Sequence, residues 1–401
     1  MTPFEERNGA LCVEGVALAD VAARYGTPSF VYSRAALESA YREFDGAFAG
    51  LPHLTCYALK ANPNLAVLDV FARLGSGFDV VSGGELARVA AAGGDVRKVV
   101  FSGVGKSDAE LRQALELGIH CFNVESESEL RHLDRIAGAM GKRAPVSLRV
   151  NPDVDPQTHP YIATGLKESK FGIAFADALP LYRRAAGLAH IALTGIDIHI
   201  GSQITALEPY RVAATRVLEL VDALASEGIR LAHVDLGGGI GIRYRDEAPV
   251  ELADYAAMIA ELFRGRRESL VFEPGRRLTG NAGVLLTRVA YLKPGPELSF
   301  AVVDAAMNDL IRPALYDAWH AVRPVRPRSE ASRVWQIVGP VCESADFLAR
   351  DRELSLAEGD LLAILSAGAY AMAMSSNYNS RPRASEVLID GSAMHLVGRR
   401  E

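Results

Sequence analysis

The chain has 401 residues, 49% of them hydrophobic, a formal net charge of −6 and a mean hydropathy of +0.09. That length points to two domains, or one large domain with an extension, and the apolar content supports a substantial core. The acidic balance leaves no electrostatic footprint for nucleic acid or an anionic membrane, and no apolar run is long enough to span a bilayer.

The first residues, Met1 to Asn8, hold Glu5, Glu6 and Arg7 and carry no apolar signal core. The four cysteines, Cys12, Cys56, Cys121 and Cys342, show no paired spacing. A reducing, cytoplasmic setting is therefore expected, with neither a disulfide framework nor a zinc site. From about Phe30 the sequence alternates short apolar runs with amphipathic stretches. Strands are predicted at 54–58, 77–80, 99–101, 120–124, 145–150, 191–198, 233–236 and 270–272. Helical patterns between them include 85–92, 108–117, 127–140, 210–227 and 252–263. Eight strands, each followed by a helical pattern, predict a parallel (β/α)8 TIM-like barrel over residues 30–275. A doubly wound sheet is the alternative, and the count of eight favours closure.

Past Gly280 the pattern changes. Strand-like runs at 284–291, 298–304, 334–338, 361–364 and 386–390 follow one another with little helix between. Pro294-Gly295-Pro296 and Glu358-Gly359-Asp360 supply turn signals. A mostly β domain is expected over 276–401. Arg323-Pro324-Val325-Arg326-Pro327-Arg328 reads as a stiff surface connection on composition.

Chemistry collects at the predicted strand ends, where a barrel of this kind builds its active site. Lys60 follows the first strand and Asp79 closes the second. Ser102 and Glu125 follow the third and fourth, Arg149 and Asn151 mark the fifth, and His199 follows the sixth. Gly237-Gly238-Gly239 follows the seventh and Glu273-Pro274-Gly275-Arg276 the eighth. Each has a plain reading. Lys60 in isolation is most simply a strand-end lysine pointing to solvent; buried, it would be a nucleophile of Schiff-base type. The triple glycine fits a phosphate cradle of backbone N–H groups, with Gly201-Ser202 and Gly275-Arg276 as further donors. It is no dinucleotide fingerprint, and a tight strand-to-helix turn explains it more simply. His199 lies two residues after Asp197, which puts both on one face of a strand. Two ligands do not make a metal site, so the options are a satisfied core histidine or an imidazole stacked on a planar cofactor. Glu273 either hydrogen-bonds a ring nitrogen or pairs with Arg276. A lysine, a phosphate cradle, a flat histidine and a carboxylate together describe a pyridoxal phosphate site.

The stretches Tyr57–Asn64, Phe78–Glu85, His199–Ser202, Asp235–Gly239 and Glu273–Arg276 resemble the barrel-type pyridoxal phosphate decarboxylases. Within them, the chain looks like the diaminopimelate decarboxylases. Arg149-Val150-Asn151-Pro152, His159-Pro160-Tyr161-Ile162 with Thr164-Gly165, and Ser169-Lys170-Phe171-Gly172 carry that narrower likeness. So do Met307 to Tyr316, Gly339 to Ser344, and Gly368-Ala369-Tyr370. The resemblance runs from about Tyr25 to about Arg383. It implies a barrel plus a β domain to which residues 1–29 also contribute. It implies a homodimer with active sites shared across the interface, and decarboxylation of meso-2,6-diaminopimelate to L-lysine. By position, Lys60 resembles the Schiff-base lysine, His199 the residue stacked on the ring, and Glu273 the partner of the pyridine nitrogen. Asp79, Ser202, Gly239, Pro274, Gly275, Arg276 and Tyr370 resemble cofactor contacts. Arg276, Arg312, Tyr316, Glu343 and Tyr370 resemble substrate contacts, and Cys342 the proton donor. No metal is expected. Two other readings stand beside this one: a related decarboxylase of another basic amino acid or carboxylated polyamine, and a relative that has lost the cofactor and only binds partners. Arg276 with Arg312 speaks against a purely cationic substrate.

Overall fold

The structure is a computed structural model, described here for residues 3–156, 158 and 170–401. The motif 159–165 and Ser169 lie outside the described residues. The chain resolves into two compact units, one of Tyr41–Ile242 with Ala248–Arg277, the other of Met1–Ala40, Arg243–Glu247 and Leu278–Glu401.

The first unit is built on parallel strands His53–Ala58, Gly77–Val80, Val99–Phe101, Cys121–Val124, Ala144–Asn151, Ile191–Asp197, His233–Asp235 and Ser269–Phe272. They pair in chain order, and the last returns to the first through Leu270↔His53 and Phe272↔Thr55, so the barrel is closed. A two-residue strand, Ile173–Ala174, pairs in parallel with the end of the fifth at Val150 and Asn151. The strands are buried along almost their whole length, as parallel strands flanked by helices are. Cys56, Val100, Cys121 and Val271 form a small apolar cluster with Leu54.

Helix starts explain why the strand-end residues are left over for other work. Side chains of Asn64, Ser82, Ser107 and Ser126 cap the helices Leu65–Arg73, Gly83–Ala91, Asp108–Leu117 and Glu127–Ala139. Ser107 and Glu110 form a reciprocal capping box. Lys60, Asp79, Ser102 and Glu125 are therefore not the caps.

The second unit is β-rich, as expected. Its long strand Gly283–Lys293 pairs antiparallel with Ser29–Ser33, with Leu361–Ile364 and, further along, with Phe300–Val303. Ser385–Asp390 joins the other side of Ser29–Ser33 in parallel. Two differences from the sequence reading stand out. The run at Phe30 belongs to this sheet and not to the barrel, because both edges of Ser29–Ser33 are taken by strands of the β-rich unit. The stretch 323–328 is not simply a surface connection. Val322–Pro324 is a strand on Leu361–Ile364, and Val325 is buried with its N–H on the Leu361 carbonyl. Proline at a strand end removes no needed donor, so composition misled there.

Gly195 makes room in the barrel for an imidazole: a Cβ built on it would stand 2.1 Å from His233 Nε2. Gly195→Ala should lower stability by about 1–3 kcal/mol through overpacking. Adding His233→Ala should return part of that loss, read by urea unfolding of both variants.

Candidate active site

The Lys60 side chain is 36% exposed, and its Nζ lies 3.0 Å from Oδ2 of the fully buried Asp79. A second lysine, Lys106, makes an instructive contrast that the sequence did not flag. It is buried, and its ammonium donates to Glu129 Oε1 at 2.7 Å and to the carbonyls of Gly103 and Asn123 at 2.8 Å. All three of its donors are used in holding loops together. Lys60 has the accessible amine; Lys106 is architecture.

Glu273 ends the last barrel strand and is 4% exposed. Its Oε1 accepts from Asn123 Nδ2 at 3.2 Å and from Ser102 Oγ at 3.4 Å, and Asn123 also donates to Ser102 at 3.1 Å. The sequence reading placed Ser102 at a strand end but missed Asn123, which sits inside a strand and carries no motif. Carboxylate oxygens of Asp197, Asp235 and Glu273 lie within 4.8 Å of one another. Burial, then Asp235, Asp79 and Asp197, push the Glu273 carboxyl well above its ordinary range. Burial and Asp79 push Asp235 up to about 7. Asp197 is raised by burial and by Asp235, against the nearby Arg149. Arg149 also reaches Glu125 Oε1 at 3.3 Å, while Glu125 accepts the N–H groups of Gly103 and Gly172.

The glycine loop is shaped by exclusion. A Cβ on Gly237 would stand 2.5 Å from the Ile198 carbonyl oxygen, on Gly238 2.1 Å from that of Glu273, and on Gly239 2.2 Å from that of Gly201. All three obstacles are backbone, which cannot step aside, and Gly237 and Gly239 also have positive φ. Gly238 N–H donates to His199 Nδ1 at 3.1 Å, and the Gly238 carbonyl accepts from Tyr210 at 3.3 Å. Because Nδ1 accepts, the neutral imidazole of His199 carries its hydrogen on Nε2. Burial, Lys60 and Arg149 hold the pKa of His199 well below the ordinary imidazole value. Arg276, 6% exposed, donates to Ser202 Oγ at 3.0 Å. Pro274 and Gly275 are buried, and the Pro274 carbonyl accepts from Ala58 N–H. Lys60, Asp79, His199, Ser202, Gly239, Glu273, Pro274, Gly275 and Arg276 thus all belong to the barrel unit.

The remaining candidates belong to the β-rich unit. Arg312 opens the short helix Arg312–Tyr316, and its guanidinium is buried. Tyr316 and Tyr370 are half-buried, and Tyr370 has a positive φ of 54°. Cys342 and Glu343 are exposed. Their loop is nonetheless fixed. Asp346 accepts from Val341 N–H at 2.8 Å and from Met307 N–H at 2.7 Å, Asn379 accepts from Cys342 N–H at 2.8 Å, and Tyr378 bonds Glu343. Asp346, Tyr378 and Asn379 were not singled out from sequence.

The barrel residues fit pyridoxal phosphate. An accessible lysine amine stands beside a buried carboxylate. A loop with no space for side chains offers backbone to a phosphate. Among the described residues, Asp79 Oδ1, Asp235 Oδ2 and both carboxylate oxygens of Asp197 are buried without a hydrogen-bond partner, an excess of acceptors that suits a protonated ring nearby.

Comparison with known proteins agrees. Residues 34–280 match the pyridoxal binding domain of the pyridoxal-dependent decarboxylases. The diaminopimelate decarboxylase of Pseudomonas aeruginosa is 62% identical over 401 residues, 100% of this chain and 97% of that protein. The crystal structure of the Helicobacter pylori diaminopimelate decarboxylase complexed with L-lysine superposes with a TM-score of 0.93, 41% identity and 96% coverage of each chain. That of M. jannaschii, in co-complex with L-lysine, gives 0.95 at 36% identity, covering 99% of this chain and 95% of that one. Fold and site define a barrel-type pyridoxal-dependent decarboxylase, and its cofactor is pyridoxal phosphate. Full-length identity narrows the class: the chain belongs to the diaminopimelate decarboxylase family.

The raised carboxyl group makes a testable contribution to stability. Asp235 holds its proton in the folded chain up to about pH 7, but ionises near 3.8 when unfolded. Between those values the folded state binds more protons, so this group's contribution to stability falls as pH rises. In the cofactor-free protein, Asp235→Asn should flatten the decline in urea midpoint between pH 5 and pH 7. An unchanged slope would remove Asp235 from the account.

Proposed function

We propose that this chain decarboxylates meso-2,6-diaminopimelate to L-lysine and carbon dioxide, the last step of lysine biosynthesis, in the cytoplasm. The pairing of an accessible Lys60 amine with buried Asp79 carries the cofactor part of this reading. Arg312 carries the substrate part. All four cysteines are free, which agrees with a reducing compartment. No helix among the described residues is long and apolar enough to cross a membrane.

When bound, pyridoxal phosphate supplies the electron sink that accepts the pair released when carbon dioxide leaves. The chain's own residues do the rest. Lys60 would hold the cofactor through its amine, and Asp79, 3.0 Å away, orients that amine. By the family resemblance, Gly239, Gly275, Arg276, Ser202 and Tyr370 would hold the phosphate. His199, neutral and anchored by Gly238, would present a flat face to the ring without adding charge. Glu273, hydrogen-bonded by Ser102 and Asn123, would partner the ring nitrogen. Its environment makes ionisation costly unless a cation lies against it, so it favours a protonated ring. Arg312 holds the distal carboxylate as a planar donor, with Tyr316 and Arg276 as further contacts. Glu343 takes the distal amine. Cys342 holds at Sγ the proton that is returned to carbon.

The distal carboxylate separates this substrate from ornithine or arginine, which have none for Arg312 to hold. A relative without cofactor would have no use for the Lys60–Asp79 pair and the blocked glycine loop together. Exposure of Cys342 and Glu343 in the single chain suits residues completed by a second copy. The working unit proposed is a homodimer with shared sites.

After borohydride reduction of the holoenzyme, mass spectrometry should find the pyridoxyl adduct on Lys60, and an adduct on another lysine sinks the assignment. Arg312→Ala should reduce kcat/KM about tenfold or more, since a charged hydrogen bond contributes roughly 1.5–3 kcal/mol.

For the dimer, Lys60→Ala and Cys342→Ala chains should each be impaired yet complement on mixing. Equal amounts give about half mixed dimers with one intact site each, so activity should recover to about a quarter of wild type. No recovery, with subunit exchange verified separately, refutes sharing.

A further inference from the structure

We propose that His120, Cys121 and His233 form a binding site for a thiophilic divalent cation of the zinc type, at the end of the barrel opposite Lys60. The site is separate from the cofactor's, and the proposal does not depend on which reaction the enzyme performs.

His120 directly precedes the fourth barrel strand, Cys121 opens it, and His233 opens the seventh. All three thus lie at N-terminal strand ends, whereas Lys60, His199 and the glycine loop follow C-terminal ends. One atom from each, two imidazole nitrogens and a sulfur, falls within 4.8 Å of the others. Cys121 Sγ stands 3.8 Å from His233 Nε2. With metal–sulfur bonds of about 2.3 Å and metal–nitrogen bonds of about 2.0–2.1 Å, that separation already suits two ligands on one ion. His120 has only to draw closer. No hydrogen bond holds its ring among the described residues, and its ring contact is with His233 itself, at 5.1 Å and 45°.

Two observations point to a ligand and not to packing alone. His120 Nε2 is buried without a hydrogen-bond partner among the described residues, a costly state for a ring nitrogen. His233, 2% exposed, occupies a space that only a glycine at 195 leaves open, with its Nε2 on the side of Cys121. A neutral imidazole has one bare nitrogen to offer a metal. Cys121 would ligate as the thiolate, its proton passing to solvent and its sulfur giving an electron pair to the ion. Cys121 Sγ is also 3.6 Å from Asn123 Oδ1, and the Asn123 amide holds Glu273. Asn123 and Asp235 each lie two positions further along their strands, so they share a face with Cys121 and His233. The ion would sit one layer beneath buried carboxylates, where positive charge is favoured. Two nitrogens and a sulfur suit zinc and disfavour magnesium or calcium, which prefer oxygen. Spacing along the chain announces none of this, since Cys121 and His233 are 112 positions apart.

The test uses the reduced, metal-stripped holoenzyme, with Co2+ as the visible probe and Zn2+ as competitor. About one Co2+ per chain should bind, with the sulfur-to-metal charge-transfer absorption of a thiolate ligand, and Zn2+ should displace it. Zn2+ should also raise Tm. Cys121→Ser should abolish the absorption and weaken Zn2+ binding on the order of a hundredfold. His120→Ala should weaken it on the order of tenfold or more, since even the outer partners of metal ligands are worth about 10–100-fold. Cys342→Ser, at the exposed thiol, should change neither the absorption nor the affinity. His233→Ala should behave as Cys121→Ser does in affinity; should it fail to fold, as read by its melting temperature, the near-isosteric Cys121→Ser and the partly exposed His120→Ala decide.

Zn2+ binding no tighter than that of the Cys121→Ser variant overturns the proposal. An absorption that survives Cys121→Ser and vanishes in Cys342→Ser puts the ion at the exposed thiol, and overturns it. Wild-type affinity in His120→Ala refutes the three-ligand site. Displacement of Co2+ by an equal concentration of Mg2+ assigns the ion to carboxylates, and refutes it equally.

Discussion

The barrel mouth depends on one electrostatic imbalance. Asp79, Asp197, Asp235 and Glu273 are all buried, with Lys60 and Arg149 among the cations near them. Such a set cannot be fully ionised in a low-dielectric interior, so protons are retained. Glu273, whose carboxyl is pushed well above its ordinary range by burial and by Asp235, is the one aimed at the cofactor's nitrogen in the proposed assignment. In the proposed assignment a protonated ring would add a cation beside these buried carboxylates.

That arrangement persists because the fold spends other residues on its own upkeep. Helix N-termini after the strands are capped by serines and an asparagine, not by the strand-end side chains. The lysine that ties loops together is Lys106, with every donor occupied. Backbone close approach, not side-chain packing, fixes the glycine loop, while Tyr210 holds the Gly238 carbonyl from behind. Local structure and chemistry thus draw on separate residues.

Much of this was legible in the sequence. Eight short apolar runs with intervening helices gave a closed barrel with strand bounds within a residue or two, because parallel buried strands leave an unbroken apolar signature. Lys60, Asp79, Ser102, Glu125, His199 and Glu273 could be found because strand ends are where a barrel exposes side chains to one common space. Asn123 could not, since an asparagine inside a strand looks like an imperfect strand residue until its amide is seen against Glu273. Asp346 is a further example: its two carboxylate oxygens pin loops distant in sequence, and no local pattern announces a tertiary staple. Tyr244 and His320 stand 76 positions apart in the sequence and meet only after folding. The expected barrel span of 30–275 takes in most of Ser29–Ser33, a strand of the other sheet, for a related reason: pairing partners, not composition, decide which sheet a short apolar run joins.

The blocked glycines also bear on how this enzyme can be redesigned. No side chain fits at Gly237, Gly238 or Gly239 without moving backbone that belongs to two neighbouring loops. Libraries directed at that loop will return mostly misfolded chains, whatever new ligand is sought. Mutational latitude lies in the β-rich unit, where the exposed Leu315 flanks Tyr316 on a single short helix. The molecule is in this sense modular for an engineer: one unit is a fixed socket, and the other is the part to vary.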